Sequence, residues 1–173
     1  MRFKFLSVLA AVALLAACET APESSGNAQS SGASSSTTST SNAATSAVQI
    51  QAGSQEDLVV NVGDRVFFGF DSADLSAEAR TALEKQAAWM KKFGGVRVVI
   101  EGHCDERGTR EYNLALGERR ANASKDYLVA LGINPARIKT ISFGKERPAA
   151  LGHNEAAWAQ NRRAVTVVDS AGS

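Results

Sequence analysis

Between residues 56 and 169 the chain alternates short apolar runs with longer stretches whose apolar residues recur at helical spacing. The run from Arg65 to Phe70 is rich in Val and Phe, which predicts a strand that ends at the turn residues Asp71–Asp74. The next helix is predicted to begin at an N-cap, Ser76, and to end near Gly94. Its apolar face consists of Ala79, Leu83, Ala87 and Met90.

The remainder of this region contains three more strand patterns and two helical ones. Val96–Glu101 is a Val/Ile run typical of a largely buried strand, and the helix capped by Thr109 extends to about Leu131. The other predicted elements are strands at Arg137–Phe143 and Ala164–Val168 and a short helix around Glu155–Gln160. The order β-α-β-α-β-(α)-β predicts an α+β fold in two layers, with the helices on one face of a small mixed sheet.

The start of the chain has the pattern of an export signal. Arg2 and Lys4 precede an apolar run from Phe5 to Ala17 that is closed by small residues, which is typical of a secretory signal peptide. This run is shorter than the ~20 residues that cross a bilayer. Leu15-Ala16-Ala17-Cys18 resembles the lipobox of bacterial lipoproteins, which implies cleavage before Cys18 and acylation of that residue. The alternative is an ordinary signal peptide with an incidental cysteine.

A polar segment separates the signal from the patterned region. From Ser24 to Ser46 the chain contains only Ser, Thr, Gly, Ala, Asn and Gln. Such a composition buries too little apolar surface to offset the entropy of folding, so we expect a disordered tether. The sequence thus predicts a lipoprotein signal peptide at residues 1–17, a lipidated N-terminus with a Ser/Thr-rich tether at 18–55, and a folded domain at 56–173.

Composition excludes some classes of function. The 173 residues carry a net charge of +1, so no overall field draws the protein to nucleic acid or to an acidic membrane. There are two cysteines, and if Cys18 is acylated, Cys104 has no partner in the chain. The domain therefore has no disulfide framework and depends on its apolar core.

The long helix after Thr109 places an arginine on its apolar side. At 100° per residue, Arg120 falls among the apolar positions, and Asn113 lies near their edge. A buried guanidinium is costly unless an acceptor meets it. Arg120 therefore either pairs internally or faces an opening where a ligand is its partner. In the first case we expect it to snorkel to the surface or to pair with an Asp or Glu at the edge of the core. The apolar positions are Leu116, Ala123, Tyr127 and Leu131.

The loop before this helix concentrates charged residues at a helix N-terminus, where unpaired amides attract anionic groups. Asp105 in the loop and Arg120 in the helix would bring opposite charges to one small region. Such a pair suits a zwitterion, whose ammonium meets the carboxylate and whose carboxylate meets the guanidinium. The alternative is a polar turn with solvated charges. The polar side chains of the loop are His103, Asp105, Glu106 and Arg107.

Several motifs occur in a fixed order along the folded part. They are Phe70-Asp71, Gly102-His103-Cys104-Asp105-Glu106-Arg107-Gly108-Thr109, Glu111-Tyr112-Asn113, Leu116-Gly117-Glu118-Arg119-Arg120-Ala121, Ser142-Phe143-Gly144-Lys145-Glu146 and Asn161-Arg162-Arg163-Ala164-Val165. Together they resemble the OmpA-like domain family, and within it the peptidoglycan-associated lipoproteins, over about Asp64 to Val168. Many relatives carry Ala where this chain has Cys104, and Tyr where it has Phe143.

The resemblance implies a domain that binds the stem peptide of peptidoglycan non-covalently. The residue recognised would be diaminopimelate, whose side chain ends in a free amino-acid centre. In the family this recognition falls on the positions that are Asp105 and Arg120 here. The further residues that line the pocket in the family correspond to Phe70, Asp71, Arg107, Asn113 and Leu116.

The resemblance also implies a place in the cell envelope and a set of partners. The protein would be an outer-membrane lipoprotein, held in the membrane by the lipid on Cys18, with its domain in the periplasm and bound to the cell wall. Its protein partners would be the TolB propeller and other Tol proteins. Glu19, where aspartate would signal retention, is compatible with export to the outer membrane. No cofactor, metal or nucleic acid is expected.

Three alternatives involve other chemistry. Cys104 beside His103 suggests a peptidoglycan peptidase, but neighbouring side chains on an extended segment lie on opposite sides, so His153 would have to be the base. A zinc site formed by the same residues and Asp105 lacks a second spaced pair of ligands. A purely partner-binding lipoprotein would use Trp89 and Trp158 at an interface, although such aromatics more often complete a core. We therefore expect a binding domain without enzymatic activity.

Overall fold

The structure is a computed structural model that describes residues 50–169. The predicted signal peptide, Cys18 and most of the predicted tether lie outside these residues. In chain order the elements are α1 (Gln55–Asn61), β1 (Arg65–Phe67), α2 (Ala77–Lys92), β2 (Val98–His103), α3 (Arg110–Ala130), a 3-10 turn (Pro135–Arg137), β3 (Ile138–Gly144), α4 (Glu155–Asn161) and β4 (Arg163–Val168). Within the described part, no helix combines the length and apolar character needed to cross a membrane.

The four strands form one sheet in the order β1-β4-β2-β3. β3 is parallel to β2, whereas β4 is antiparallel to both β2 and β1. The last strand therefore inserts between the first two, and α3 forms the crossover that joins the parallel pair. The prediction of a mixed sheet in an α+β fold is confirmed.

The core lies between the sheet and the two long helices. α2 packs against β1 and α3, and α3 packs against β2 and β3. Val98 and Ile100, alternate residues of β2, are fully buried in the same apolar cluster as Leu83 and Met90 of α2. The prediction that helices cover one face of the sheet is confirmed.

Both long helices begin where the sequence predicts a cap. The Ser76 hydroxyl accepts a hydrogen bond from the Ala79 amide at 3.2 Å, and the Thr109 hydroxyl accepts one from the Tyr112 amide at 3.2 Å. Each cap satisfies one amide of the first turn. The second cap fixes the start of α3, the helix that carries Arg120.

α3 approaches β2 most closely where two glycines meet. A Cβ added to Gly102 would lie 1.8 Å from the carbonyl oxygen of Gly117, so no side chain fits there. This approach brings the next part of α3, with Arg120, against the end of β2 at His103. The glycine pair therefore sets how deeply Arg120 enters the domain.

The predicted first strand is too long, and the structure shows why. β1 ends at Phe67, not at Phe70. Beyond that point arginine side chains, not a neighbouring strand, hydrogen-bond the carbonyls: Arg162 at Phe68, and Arg120 at Gly69 and Ser72. The segment after Phe67 therefore forms part of a side-chain-supported turn.

Helix α1 has no counterpart in the sequence prediction. Ser54 caps it through a 3.1 Å hydrogen bond from the Asp57 amide, and Leu58 is fully buried. The Gln55 side chain also accepts a hydrogen bond from the Val168 amide in β4 at 2.6 Å. Regular structure in the described chain thus begins just before residue 56, within the last positions assigned to the tether.

Candidate functional site

A cavity of about 130 Å³ opens where the turn after β1, the end of β2 and the first half of α3 meet. Its lining includes all seven residues that the sequence analysis assigned to ligand binding in the domain: Phe70, Asp71, Asp105, Arg107, Asn113, Leu116 and Arg120. Cys104, Gly108 and Tyr112 complete the lining. The charged residues of the wall are two acids and two arginines, a balance suited to a zwitterion.

Arg120 is completely buried, and it is held by backbone carbonyls. Its guanidinium donates to Ser72 O from Nε at 2.8 Å, to His103 O from Nη1 at 2.9 Å and to Gly69 O from Nη2 at 3.0 Å. Of the two outcomes left open by the sequence, internal pairing is therefore present, but the acceptors are neutral. Among residues 50–169 no carboxylate forms an ion pair with Arg120.

The guanidinium of Arg120 retains capacity for a ligand. An arginine has five N–H donors, and the three carbonyls use one on each nitrogen. Burial lowers the pKa of Arg120, which expresses the cost of a cation removed from water. The Cys104 thiol, a neutral group, is a further side-chain contact of Arg120. An anion that enters the cavity would meet N–H groups that the carbonyls do not use and a positive charge that no carboxylate pairs with in the described residues.

Asp105 is buried as well, at 4 % exposure, and arginines surround it. Arg107 forks onto the carboxylate, with Nη2 2.6 Å from Oδ2 and Nε 3.2 Å from Oδ1, and its backbone amide also donates to Oδ1. Arg162 Nη1 lies 3.4 Å from Oδ2. Burial alone would raise the pKa of Asp105, but the hydrogen bonds from Arg107 outweigh it and hold the pKa below its usual value. The carboxylate is therefore charged at neutral pH.

The guanidinium of Arg107 is flanked by two aromatic rings. Its carbon lies 4.0 Å from the ring centre of Phe70 and 4.1 Å from that of Trp158. Phe70 is 63 % exposed and forms the outer rim of the cavity. The stack connects the turn after β1, the loop after β2 and helix α4.

Asp71 and Tyr112 also line the cavity and contact each other. Asp71 has a φ of 52°, a left-handed conformation that aspartate tolerates better than most residues. The Tyr112 hydroxyl donates a hydrogen bond to the Asp71 carboxylate, and this contact raises the pKa of Tyr112. Asp71 is exposed, so its carboxylate is accessible from the cavity mouth.

Asn113 fixes the loop that carries Asp105. Its side-chain amide donates to Arg107 O at 2.7 Å and to Thr109 O at 3.0 Å. The Cys104 thiol donates to Asn113 O, with a sulfur–oxygen distance of 3.3 Å, and burial raises the pKa of this thiol. A nucleophilic cysteine needs a lowered pKa, so the environment of Cys104 is the reverse of an activating one.

The two histidines are the candidates for a base that could activate the thiol. His103 is buried with no hydrogen-bond partner for either ring nitrogen, and His153 contacts the Glu106 carboxylate at 2.7 Å. Neither imidazole hydrogen-bonds to Cys104 within the described residues. In the same part of the chain, no group of three or more His, Cys, Asp or Glu side chains could hold a metal ion.

Two contributors to this site were not predicted. Arg162 was noted within a motif but was not paired with Asp105, from which it is separated by 57 positions in sequence. Both tryptophans were expected to complete a core. Trp89 does so, at 6 % exposure, whereas Trp158 lies half-buried against Arg107. No local pattern in a seven-residue helix distinguishes these two environments.

Comparison with known proteins identifies relatives over most of the folded part. The OmpA family model matches residues 67–162. The chain is 56% identical over 121 residues to the peptidoglycan-associated lipoprotein of Rhizobium meliloti, which covers 70% of this chain and 69% of the relative. The lipoprotein of the same name from Pseudomonas aeruginosa is 41% identical over 160 residues, covering 92% of this chain and 93% of the relative.

A solved structure gives the same result for the fold. The crystal structure of the peptidoglycan-associated lipoprotein from Burkholderia pseudomallei superposes with a TM-score of 0.60 and 45% sequence identity. The match covers 61% of this chain and 90% of that structure.

Proposed function

The chain belongs to the OmpA family, among the peptidoglycan-associated lipoproteins, and from this membership we propose that it binds peptidoglycan non-covalently through the diaminopimelate of the stem peptide. The binding site is the cavity between the turn after β1, the loop after β2 and α3. One observation carries this proposal: Arg120 is a buried cation on the cavity wall whose hydrogen-bond partners are neutral, and the backbone carbonyls do not use all of its N–H donors.

Diaminopimelate matches the charges of the wall. Its side chain ends in an ammonium and a carboxylate on one carbon. The carboxylate binds Arg120, because a forked pair of charge-assisted hydrogen bonds is the strongest contact that a guanidinium offers. Folding has already removed the Arg120 guanidinium from water. The ligand carboxylate therefore neutralises a cation that is buried before the ligand binds.

The ammonium binds between Asp105 and Asp71. A carboxylate has about four acceptor positions, and arginine and amide donors already occupy those of Asp105. The ligand ammonium therefore takes the place of one of these donors, while the exposed Asp71 offers a second carboxylate. The remaining pocket residues, Phe70, Arg107, Asn113 and Leu116, shape the cavity around the aliphatic chain of diaminopimelate.

The proposal includes the attachment of the protein to the envelope. Acylation of Cys18 holds the chain in the outer membrane with the domain in the periplasm, so that wall binding links the two layers. Two or more acyl chains make such attachment lasting. TolB and other Tol proteins are the partners that membership of this group suggests. The domain acts by binding, and the raised pKa of the Cys104 thiol supports a role without catalysis.

The test is retention of the full-length protein on purified sacculi that contain diaminopimelate. Arg120→Ala removes the anion-binding group and should abolish retention, since loss of one partner of a buried charged contact costs roughly 2–5 kcal/mol. Arg137→Ala is the matched control, because the Arg137 guanidinium also donates to three backbone carbonyls, those of Val96, Met90 and Phe93. Arg137 does not line the cavity.

Both substitutions leave carbonyls without donors, so both should lower the melting temperature. Only Arg120→Ala should lose retention on the sacculi. Equal retention of Arg120→Ala and wild type would contradict the proposed site, and equal loss by both variants would assign the effect to folding.

A further inference from the structure

Trp158 contacts the proposed site without lining its cavity. The ten residues of the wall do not include it, yet its ring centre lies 4.1 Å from the guanidinium carbon of Arg107. Phe70, which does line the cavity, contacts the same guanidinium at 4.0 Å. Arg107 is thus flanked by one ring from the rim and one from helix α4.

The indole is itself held in place. Its Nε1 donates to Glu106 Oε1 at 2.9 Å, and the Glu106 carboxylate also contacts His153 Nδ1 at 2.7 Å. Glu106 is the neighbour of Arg107 in the chain. The loop after β2 therefore contacts α4 through the carboxylate of one residue and the guanidinium of the next, and that guanidinium also lies 4.0 Å from the Glu155 carboxylate.

The orientation of Arg107 matters because its side chain is only partly enclosed by the protein. The side chain is 31% exposed, and its fork onto Asp105 needs one particular placement of the planar guanidinium. An aromatic ring over the face of the guanidinium restricts that placement and adds an attractive contact. The buried Arg162 needs no such support, since it is enclosed at 7% side-chain exposure.

We infer that Trp158 is a positioning residue of the peptidoglycan site, which acts through Arg107. Its ring keeps the guanidinium in the plane from which it forks onto Asp105, and so keeps the Asp105 carboxylate oriented toward the ligand. This inference rests on the proposed function and adds helix α4 to the elements that determine affinity.

The experiment is a double-substitution cycle on the full-length protein in detergent, with affinity for the soluble tripeptide L-Ala-γ-D-Glu-meso-diaminopimelate measured by calorimetry. Trp158→Ala should weaken binding about fivefold, the effect of losing one cation–π contact. In the Arg107→Ala background the same change should have no further effect. Trp158→Phe keeps an aromatic face and should recover at least half of the loss.

Trp89→Phe is the control, because Trp89 is a core residue that hydrogen-bonds Asp57 away from the cavity. It should bind as wild type does. Melting curves identify any variant that fails to fold. If Trp158→Ala does not fold, the affinity of Trp158→Phe is compared with that of wild type instead.

The outcomes separate the two proposals. If wild type binds the tripeptide and Trp158→Ala binds it equally well, the positioning role is wrong. Additive losses for Trp158→Ala and Arg107→Ala would also overturn it, since the indole would then act independently of the guanidinium. If wild type does not bind the tripeptide, the proposed function itself fails.

Discussion

Arg120 illustrates how a cation can be buried without an ion pair. Three backbone carbonyls accept its hydrogen bonds, and these carbonyls belong to the turn after β1 and to the end of β2. The same contacts that offset its desolvation therefore also shape the cavity around it. The sequence left internal pairing and an open face as alternatives, and the structure combines an internal partner with a place on the cavity wall.

His103 shows the opposite situation, because it is buried and its polar ring atoms have no hydrogen-bond partners in the described residues. Its backbone carbonyl accepts a hydrogen bond from Arg120. The centre of its ring lies 5.6 Å from the ring centre of Phe143. Burial, followed by the charges of Arg163, Arg147 and Arg65, lowers the pKa of His103 to about 4. The Glu101 carboxylate, 3.5 Å from Nε2, does not offset these effects.

Stability should therefore fall on mild acidification. In the unfolded chain His103 takes up a proton near its ordinary pKa of 6.5, whereas in the folded domain it stays neutral down to about pH 4. Between these values the unfolded state binds more protons, so the free energy of unfolding decreases as the pH falls, by about 2 kcal/mol at pH 5. This pH dependence fades above the ordinary pKa of histidine and is nearly gone by about pH 7.5.

The check is denaturant unfolding at pH 7 and pH 5 for wild type and His103→Phe. Phenylalanine keeps a ring beside Phe143 and removes the titrating group. Wild type should lose about 2 kcal/mol more than the variant between the two pH values. Parallel losses in the two proteins would show that His103 does not titrate in this way.

At the scale of elements, local signals were sufficient for most of the fold. Ser76 and Thr109 mark helix starts through contacts three residues away, so the sequence shows them directly. The insertion of β4 between β1 and β2 depends on pairs such as Arg65 with Val165, which no local pattern contains. For the same reason, the sequence indicated Asp105 and Arg120 but did not reveal the contact of Arg162 with Asp105 or of Trp158 with Arg107.

The packing of α3 on β2 depends on one pair of glycines. A methyl group at Gly102 would overlap Gly117 O, and this backbone atom of α3 cannot move aside as the end of a flexible side chain could. Gly102→Ala should therefore lower the free energy of unfolding by about 3 kcal/mol and, by displacing α3, weaken wall binding. Gly95→Ala is the control, because a Cβ there meets nothing within 4 Å.

Chemical denaturation of the two variants checks this expectation. The Gly95 change should stay within about 0.5 kcal/mol of wild type, as surface substitutions usually do. Similar stabilities for Gly102→Ala and wild type would mean that α3 does not depend on this close approach.

At the scale of the whole molecule, the proposed role needs two attachments, one to the membrane and one to the wall. The proposed wall site lies in the described domain, whereas the predicted lipid site, Cys18, lies outside it. Each attachment depends on different residues, so each is removable on its own. Loss of either one would uncouple the membrane from the wall.

Cys18→Ser should release the protein from membranes without changing its affinity for sacculi, because the hydroxyl does not replace the thiol that receives the lipid. Membrane fractionation of cells that express the variant measures this directly. Cys104→Ser is the matched control and should stay membrane-bound. A Cys18→Ser protein that remains in the membrane fraction would refute the lipid anchor.

The most direct measurement of the central claim changes the ligand and leaves the protein intact. Lysine equals diaminopimelate without the terminal carboxylate, so a stem tripeptide with lysine in its place lacks the group assigned to Arg120. The wild-type protein should bind the diaminopimelate tripeptide at least about 30-fold more tightly than the lysine tripeptide. Equal affinities for the two peptides would contradict recognition of a zwitterion by Arg120 and the acidic side of the cavity.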